Sequence, residues 1–271
     1  EGVGRVTKPG LDQPPGAAAI NRVPRRMIEE QARRVCDALG YAGGISVVIS
    51  IRGGEEAAKR TFNPQLGVEG GLSILGTSGI VEPMSEQAIV DTIALEIRQH
   101  AAVTSRLILT PGNYGETFLR DHPQAARGVP VVKCSNFIGD ALDLAGNRGF
   151  SQVLLVGHAG KLVKLAAGVM NTHSRYADGR AEVFCAHAAV CGAPPSLCRS
   201  LMQAPSADAC LALLDDASLR EPVIDSILTA IQRHLDRRAG GRFRTGAVLF
   251  TNTFGLLGQT TTAKEIIRSW N

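Results

Sequence analysis

The sequence predicts an α/β protein in two parts: the C-terminal part of an α+β domain over residues 1–67, and a doubly wound, mostly parallel domain over residues 68–271. Three features predict this fold class: an alternating apolar segment near the start, short continuous apolar runs after residue 68, and helical patterns between those runs. Strands covered on both faces have continuous apolar runs, and their alternation with helices is typical of a parallel sheet. A chain of 271 residues is long enough for one large or two modest domains.

The first part is expected to contain a connector, a helix and a strand. Proline and glycine recur over residues 9–24 and predict a stiff, non-helical connector. The amphipathic stretch 25–39 predicts a helix. Every odd-numbered residue over 45–51 is isoleucine or valine, and this two-residue period predicts a strand with one covered face.

The second part alternates predicted strands with predicted helices, and we expect it to be Rossmann-like. Its continuous apolar runs are 72–75, 107–109, 129–132, 153–156 and 247–250. Ser85 is placed to cap one helix, and Ser135 or Asn136 to cap another. Residues 195–240 have helical patterns without a strand-like run, so they predict a helical elaboration of this domain that ends at Gly240.

Composition excludes several classes of protein. The net charge of +4 and the 4% of aromatic residues are too small for a typical nucleic-acid binder, so we expect no nucleic-acid partner. The six cysteines form no Cys-x-x-Cys pair, which disfavours a zinc or thioredoxin-like site and indicates reduced thiols in a cytoplasm. No apolar stretch is long enough to span a bilayer, so no membrane partner is expected. The sequence leaves a homo-oligomer open.

Four polar or glycine-bearing loops follow the predicted strands, at 76–83, 110–116, 134–139 and 157–161. In an open parallel sheet the carboxyl ends of the strands share one edge, so these loops predict a common ligand cleft. None of the loops is a known phosphate fingerprint. The last has Leu162 where a P-loop has Ser or Thr, which argues against nucleotide hydrolysis, and the first lacks Gly-x-Gly-x-x-Gly.

Charged and titratable residues stand near the last of these loops. Lys161 and Lys164 fall at the predicted start of a helix, where cations are unfavourable unless an anion binds there. Alternatively, both are surface lysines that point away from the helix terminus. His158 and His173 can transfer protons near neutral pH, although loop histidines more often form local hydrogen bonds.

Several strings, in these loops and near the start of the sequence, resemble one protein family, the CbiD family. The strings are GVGRVTKPGL from Gly2, ILGTSGIVEPMS from Ile74, PGNYGE from Pro111, SNFIGD from Ser135 and GHAGKLVKLAAGVMNTHS from Gly157. The resemblance extends over essentially the whole sequence. Family members begin with an alanine-rich segment containing Thr-Thr-Gly, which is absent here, so we expect part of the first domain to be missing.

The resemblance implies an enzyme of anaerobic cobalamin biosynthesis. Members of the family are cobalt-precorrin-5B (C1)-methyltransferases, which implies methyl transfer from S-adenosylmethionine to ring carbon C1 to give cobalt-precorrin-6A. The substrate has acetate and propionate side chains, and its cobalt belongs to it, so we expect no metal site in the protein. Methyl transfer to carbon mainly requires that the reacting atoms be held in line.

Under this resemblance, positively charged side chains are candidates for the substrate carboxylates, namely Arg5, Lys8, Lys161 and Lys164. The candidates for donor binding are Gly76, Thr77, Ser78, Gly79, Glu82, Gly112, Asn113, Gly115, Glu116 and Gly157. Among these, Glu82 or Glu116 could accept hydrogen bonds from the ribose hydroxyls. The candidates for proton transfer are His158, as the base, and His173.

Two other functions are weighed against the methyltransferase. One is a noncatalytic carrier of corrinoid intermediates, which would bind tetrapyrrole but not S-adenosylmethionine. The other is a nicotinamide-dependent reductase, which the loops do not favour because they lack a dinucleotide fingerprint. The sequence does not determine which loop binds the donor and which the macrocycle.

Overall fold

The computed structural model describes residues 1–61, 63–75 and 86–270, which form two compact units, Glu1–Gln99 and His100–Asn271. This division lies later than the boundary between residues 67 and 68 that the sequence suggests. One reason is a strand pairing, because Val68–Glu69 runs antiparallel to Arg5–Val6. A second is that Gln99 Nε2 donates to Pro9 O and Leu66 O.

The first unit contains a two-stranded sheet and helices of different lengths. Its elements are β1 (Arg5–Val6), α1 (Arg22–Ala38), α2 (Gly54–Ala58), α3 (Asn63–Leu66) and β2 (Val68–Glu69), with α4 (Glu86–Ala101) running across the unit boundary. The predicted helix at 25–39 is confirmed by α1, which starts three residues earlier and has Pro24 in its first turn, where proline is tolerated.

Two predicted strands are wrong. Residues 45–51 form no strand, and Val47 and Val48 are 53% and 85% exposed. Alternation alone does not form a strand, because the backbone groups also need a neighbouring strand to pair with. Residues 72–75 do not join the main sheet; Leu72 and Ile74 instead form isolated bridges to Val3 and Ile20 in the first unit.

The second unit is built on a five-stranded, mostly parallel sheet, as predicted. Its strands are β3 (Arg106–Thr110), β4 (Val131–Lys133), β5 (Gln152–His158), β6 (Arg244–Thr251) and β7 (Gly255–Gln259), in the spatial order β4-β3-β5-β6-β7. The first four strands are parallel, whereas β7 is antiparallel to β6. β7 was not predicted, because its residues are mostly part-exposed and it lacks the apolar run of the inner strands.

Helices connect and cover these strands. They are α5 (Asn113–Asp121), α6 (Ile138–Asn147), α7 (Ala159–Leu162), α8 (Arg180–Val190), α9 (Pro195–Met202), α10 (Ala207–Asp216), α11 (Arg220–Ala239) and α12 (Thr261–Ser269). The helical elaboration predicted over 195–240 is present, and it ends at Gly240 in a left-handed conformation with φ +58°. The predicted cap of α6 is wrong, because that helix begins after Phe137 without a side-chain cap.

The core of the second unit surrounds the inner strands. Leu154, Val156 and Val248 are fully buried, and Phe118 stacks on Phe250 with ring centroids 4.3 Å apart. Each buried aliphatic side chain contributes about 1.5–3 kcal/mol. This packing fixes the carboxyl ends of β3, β5 and β6, where the loops that follow carry polar groups.

Candidate functional site

A cleft of about 640 Å³ lies where β3 and β5 end. Its lining residues are Pro111, Gly112, Asn113, Tyr114, Gly115, Gly157, His158, Gly160, Lys161, Arg180, Ser206, Ala207 and Asp208. Two of the four predicted loops, 110–116 and 157–161, therefore meet in one cleft, as expected for adjacent parallel strands. The start of α8 and the start of α10 supply the remaining lining residues.

Two glycines let these loops approach each other. A Cβ atom on Gly115 would lie 2.8 Å from Thr110 Cβ and 3.0 Å from Val156 O. A Cβ atom on Gly157 would lie 3.0 Å from Pro111 Cδ. Contacts this short are too close for a side chain, so glycine at these positions allows the start of α5 and the end of β5 to pack directly together.

Lys161 joins the two loops. Its Nζ donates a hydrogen bond to Pro111 O at 2.7 Å, and the side chain is part-buried in the cleft wall. Burial lowers the pKa of Lys161, and the nearby positive charge of Lys164 lowers it further, whereas Cys134 acts in the opposite direction. The ammonium group has three donors, so hydrogen-bonding capacity remains for an anion in the cleft.

Lys164 lies in the interior instead. It is 3% exposed, and its Nζ donates to Thr172 O at 3.2 Å and to Ala177 O at 2.8 Å. The prediction that both lysines face one helix terminus is wrong, because α7 is a single turn that continues as a 3₁₀ segment, Val163–Ala167, in which Lys164 is buried. Lys164 does not line the cleft, so we assign it to holding the segment 172–178.

An ion-pair chain connects Lys164 to the cleft. Lys164 Nζ lies 3.7 Å from Asp178 Oδ1, and Arg180 donates to both Asp178 oxygens, from Nε at 2.6 Å and from Nη2 at 2.7 Å. The Arg180 hydrogen bonds hold the pKa of Asp178 down at about 2. Arg180 was not among the predicted site residues, although the Asp-Gly before it is a turn signal and Gly179 has φ +67°.

His158 ends β5 and caps the turn that follows. Its Nδ1 accepts a hydrogen bond from Gly160 N at 3.1 Å, and its ring meets Phe250 edge-on at 5.9 Å. Burial lowers the pKa of His158, while the charge of Asp208 raises it. A neutral ring that accepts at Nδ1 carries its proton on Nε2. His158 is therefore a donor at Nε2, and this geometry does not favour the predicted role as a base.

The pKa of His158 predicts a dependence of stability on pH. Because the folded-state pKa lies below the usual 6.5, the unfolded chain binds the proton more readily. Stability is therefore fully present above about pH 6.5 and is lost as the pH falls toward the folded-state value. Burial shifts the pKa of His187 and His234 in the same direction, so they contribute to the same loss.

The measurement compares urea midpoints at about pH 7.5 and about pH 5.5. His158→Asn should retain the hydrogen bond to Gly160 N through Oδ1 and should show a smaller decrease on acidification than the wild type. Equal decreases in the two proteins would contradict the shift at His158.

Several other predicted site residues are ion-paired or exposed. Glu116 pairs with Lys133 at 2.9 Å and is not among the cleft-lining residues, whereas Asn113 is. His173 is exposed, and its Nδ1 accepts from Arg175 N. Arg5 and Lys8 are exposed on the first unit. The predicted donor residues Gly76, Thr77, Ser78, Gly79 and Glu82 lie outside the described residues.

Sequence reasoning also missed the cleft residues on α10. Ser206 Oγ caps this helix by accepting from Ala209 N at 3.2 Å. Asp208 Oδ2 accepts from Thr253 Oγ1 at 2.9 Å, and Asp208 Oδ1 is buried with no hydrogen-bond partner among the described residues. Ser206 is an ordinary cap signal in the sequence, but only the tertiary structure brings α10 beside β5.

Over the described residues, no helix is long and apolar enough to cross a bilayer. The same part of the chain contains no group of three or more His, Cys, Asp or Glu side chains arranged to hold a metal ion.

Comparison with known proteins identifies the family. The family model CbiD matches residues 1–83, and the model CbiD, C-terminal domain, matches residues 171–261. A cobalt-precorrin-5B C(1)-methyltransferase from Alkaliphilus metalliredigens is 38% identical over 268 residues, which cover 98% of this chain and 70% of that protein. The chain belongs to the CbiD family.

Other members of the CbiD family are similarly related. Cobalt-precorrin-5B C(1)-methyltransferases from Ruminiclostridium cellulolyticum and Tolumonas auensis are 50% and 40% identical over 93% and 99% of this chain. The chain spans 65% and 71% of their lengths. A crystal structure of the cobalamin biosynthesis protein cbiD from Archaeoglobus fulgidus is 26% identical with a TM-score of 0.26, over 64% of this chain and 54% of that one.

Proposed function

We propose that this chain methylates C1 of cobalt-precorrin-5B to give cobalt-precorrin-6A in anaerobic cobalamin biosynthesis, with S-adenosylmethionine as the donor. The observation that carries the proposal is the 50% identity over 93% of the chain to a protein named for this methyl transfer. The cleft at the ends of β3 and β5 is the proposed donor site. Its volume of about 640 Å³ lies within the usual range for small-molecule sites.

The residues of the cleft fit such a donor. S-adenosylmethionine carries a carboxylate, an adenosine with two ribose hydroxyls, and an activated methyl group on a sulfonium. The part-buried ammonium of Lys161 suits the carboxylate, and the unpartnered Asp208 Oδ1 suits a hydrogen-bond donor. Gly112 and Gly157 leave room for the backbone to approach a ligand closely.

The protein's own contribution is to bind and orient. Lys161 fixes one end of the donor, and the fully buried strands beneath the cleft keep the loops 110–116 and 157–161 in place. His158 offers an Nε2–H donor in the same wall, since its Nδ1 is already used. Holding two reacting centres in line at contact distance supplies much of the rate enhancement in such transfers.

Lys161 was predicted to contact the substrate, but it shares its cleft with the predicted donor residues Gly112, Asn113, Gly115 and Gly157. We therefore propose that Lys161 binds the carboxylate of the donor. Arg5 and Lys8, which are exposed, remain candidates for the acetate and propionate groups of the macrocycle.

Incubation of the protein with cobalt-precorrin-5B and S-adenosylmethionine tests the proposal. The expected result is a product one methyl group heavier, with an equal amount of S-adenosylhomocysteine. Omission of the donor should abolish the product, and the Ruminiclostridium cellulolyticum relative serves as the positive control for the assay. Calorimetry that shows heat with the tetrapyrrole but none with S-adenosylhomocysteine would instead identify a carrier of corrinoid intermediates.

A further inference from the structure

We infer that Asp208 binds the ribose hydroxyls of the methyl donor and that Thr253 positions its carboxylate. This inference rests on the proposed function, because it names the part of the donor that one wall of the cleft recognises. Asp208 belongs to the first turn of α10, and Thr253 follows β6.

The first line of support is an unused acceptor in the cleft wall. Asp208 lines the cleft, and its Oδ2 accepts from Thr253 Oγ1 at 2.9 Å. Its Oδ1 is buried and has no hydrogen-bond partner among the described residues. A buried carboxylate oxygen without a partner is unfavourable, so a ligand that donates to it gains more than it would from a solvated oxygen.

The second line of support is that the neighbouring cations donate their hydrogen bonds to other groups. Both Lys161 and Arg180 line the same cleft, but Lys161 donates to Pro111 O and Arg180 donates to both oxygens of Asp178. Neither donates to Asp208 Oδ1, so no cation satisfies this oxygen among the described residues. A carboxylate accepts hydrogen bonds only, and a ribose diol presents two neutral donors to it.

The positive charges also decide which part of the donor faces Asp208. Lys161 bridges the β3 and β5 loops, and its ammonium attracts the carboxylate of the methionine part while it repels the ammonium next to it. Asp208 enters the cleft from a different element, α10. With the donor carboxylate at Lys161, we assign the adenosine end to Asp208. Glu116, which the sequence suggests as an acceptor for the ribose hydroxyls, is paired with Lys133. We assign that role to Asp208.

Calorimetric titration with S-adenosylhomocysteine tests the assignment. Asp208→Asn should bind this ligand about 10- to 100-fold more weakly, as expected when a hydrogen bond to a charged group is lost. Thr253→Val should weaken binding by about 3- to 10-fold, since it loosens the carboxylate without removing it. Asp216→Asn, at the exposed end of the same helix, is the matched control and should bind as the wild type does.

Analogues of the ligand distinguish the ribose from the amino group. The 2′-deoxy analogue of S-adenosylhomocysteine should bind the wild type more weakly than the parent, and Asp208→Asn should bind parent and analogue equally. A second analogue lacks the α-amino group. If Asp208→Asn binds this analogue and the parent equally, while the wild type binds the analogue more weakly, Asp208 binds the ammonium and the inference is wrong. Unchanged binding of the parent by Asp208→Asn also overturns it. No binding of the parent by the wild type would remove the proposed donor site itself.

Discussion

Replacing Lys161 with glutamate should weaken the binding of S-adenosylhomocysteine at least about 100-fold, which corresponds to about 2.7 kcal/mol. The change removes the Nζ that donates to Pro111 O and places a carboxylate in the cleft wall. Two carboxylates that approach within about 4 Å repel each other by about 1 kcal/mol in water and by more in a partly buried site. The loss of the charged hydrogen bond adds to this repulsion.

Calorimetry measures the affinity for S-adenosylhomocysteine. All variants are compared at one ionic strength, because salt screens the interactions of exposed charges. Lys264→Glu on α12 makes the same change in net charge outside the cleft lining, and its affinity should equal that of the wild type. Lys161→Arg keeps the charge and should retain an intermediate affinity. Similar affinities for Lys161→Glu and Lys264→Glu would contradict the donor assignment, and a loss confined to the binding of cobalt-precorrin-5B would return Lys161 to the substrate.

Replacing Lys164 with methionine should lower the free energy of unfolding by about 2–5 kcal/mol, because two carbonyl groups lose their donor. Lys164 is 3% exposed, and methionine keeps most of its apolar stem but none of its donors. Thr172 O and Ala177 O then lose the hydrogen bonds that Nζ supplies. Asp178 keeps Arg180 as its partner, which limits the loss.

Urea denaturation of the wild type and of Lys164→Met gives the difference in free energy of unfolding from their midpoints. The control is Lys264→Met, an exposed lysine on α12, which should change the free energy of unfolding by less than about 0.5 kcal/mol. A decrease below about 1 kcal/mol for Lys164→Met would show that the 172–178 segment does not depend on this ammonium group.

Much of the second unit is predictable from local sequence because its strands are buried on both faces. The apolar runs at 107–109, 153–156 and 247–250 all lie in β3, β5 and β6. Two other predicted strands do not form: the one at 45–51 and the one at 72–75, which was predicted for the second domain but lies in the first unit. Their apolar patterns are compatible with a strand, but whether a strand forms depends on a pairing partner elsewhere in the chain.

The candidate site likewise contains residues that the sequence predicts and residues that it does not. Gly115, Gly157 and Lys161 follow strands of the predicted sheet, so their meeting in one cleft follows from the parallel topology. Arg180 and Asp208 lie on helices of the elaboration, and no sequence period specifies which strand end those helices cover. Lys164 shows most clearly that sequence position does not predict where a side chain lies, because it is only three residues from Lys161 but is buried.

By itself the sequence determined the family, the parallel sheet and the edge at which its loops collect, because strand burial and glycine-rich turns are encoded in neighbouring residues. Only the tertiary structure decided which side chains reach the cleft. The partners of Lys161, Lys164 and Asp208 are backbone or side-chain groups 50, 8 and 45 residues away along the chain. Hydrogen bonds of that kind depend on how the elements pack, which local residue patterns do not specify.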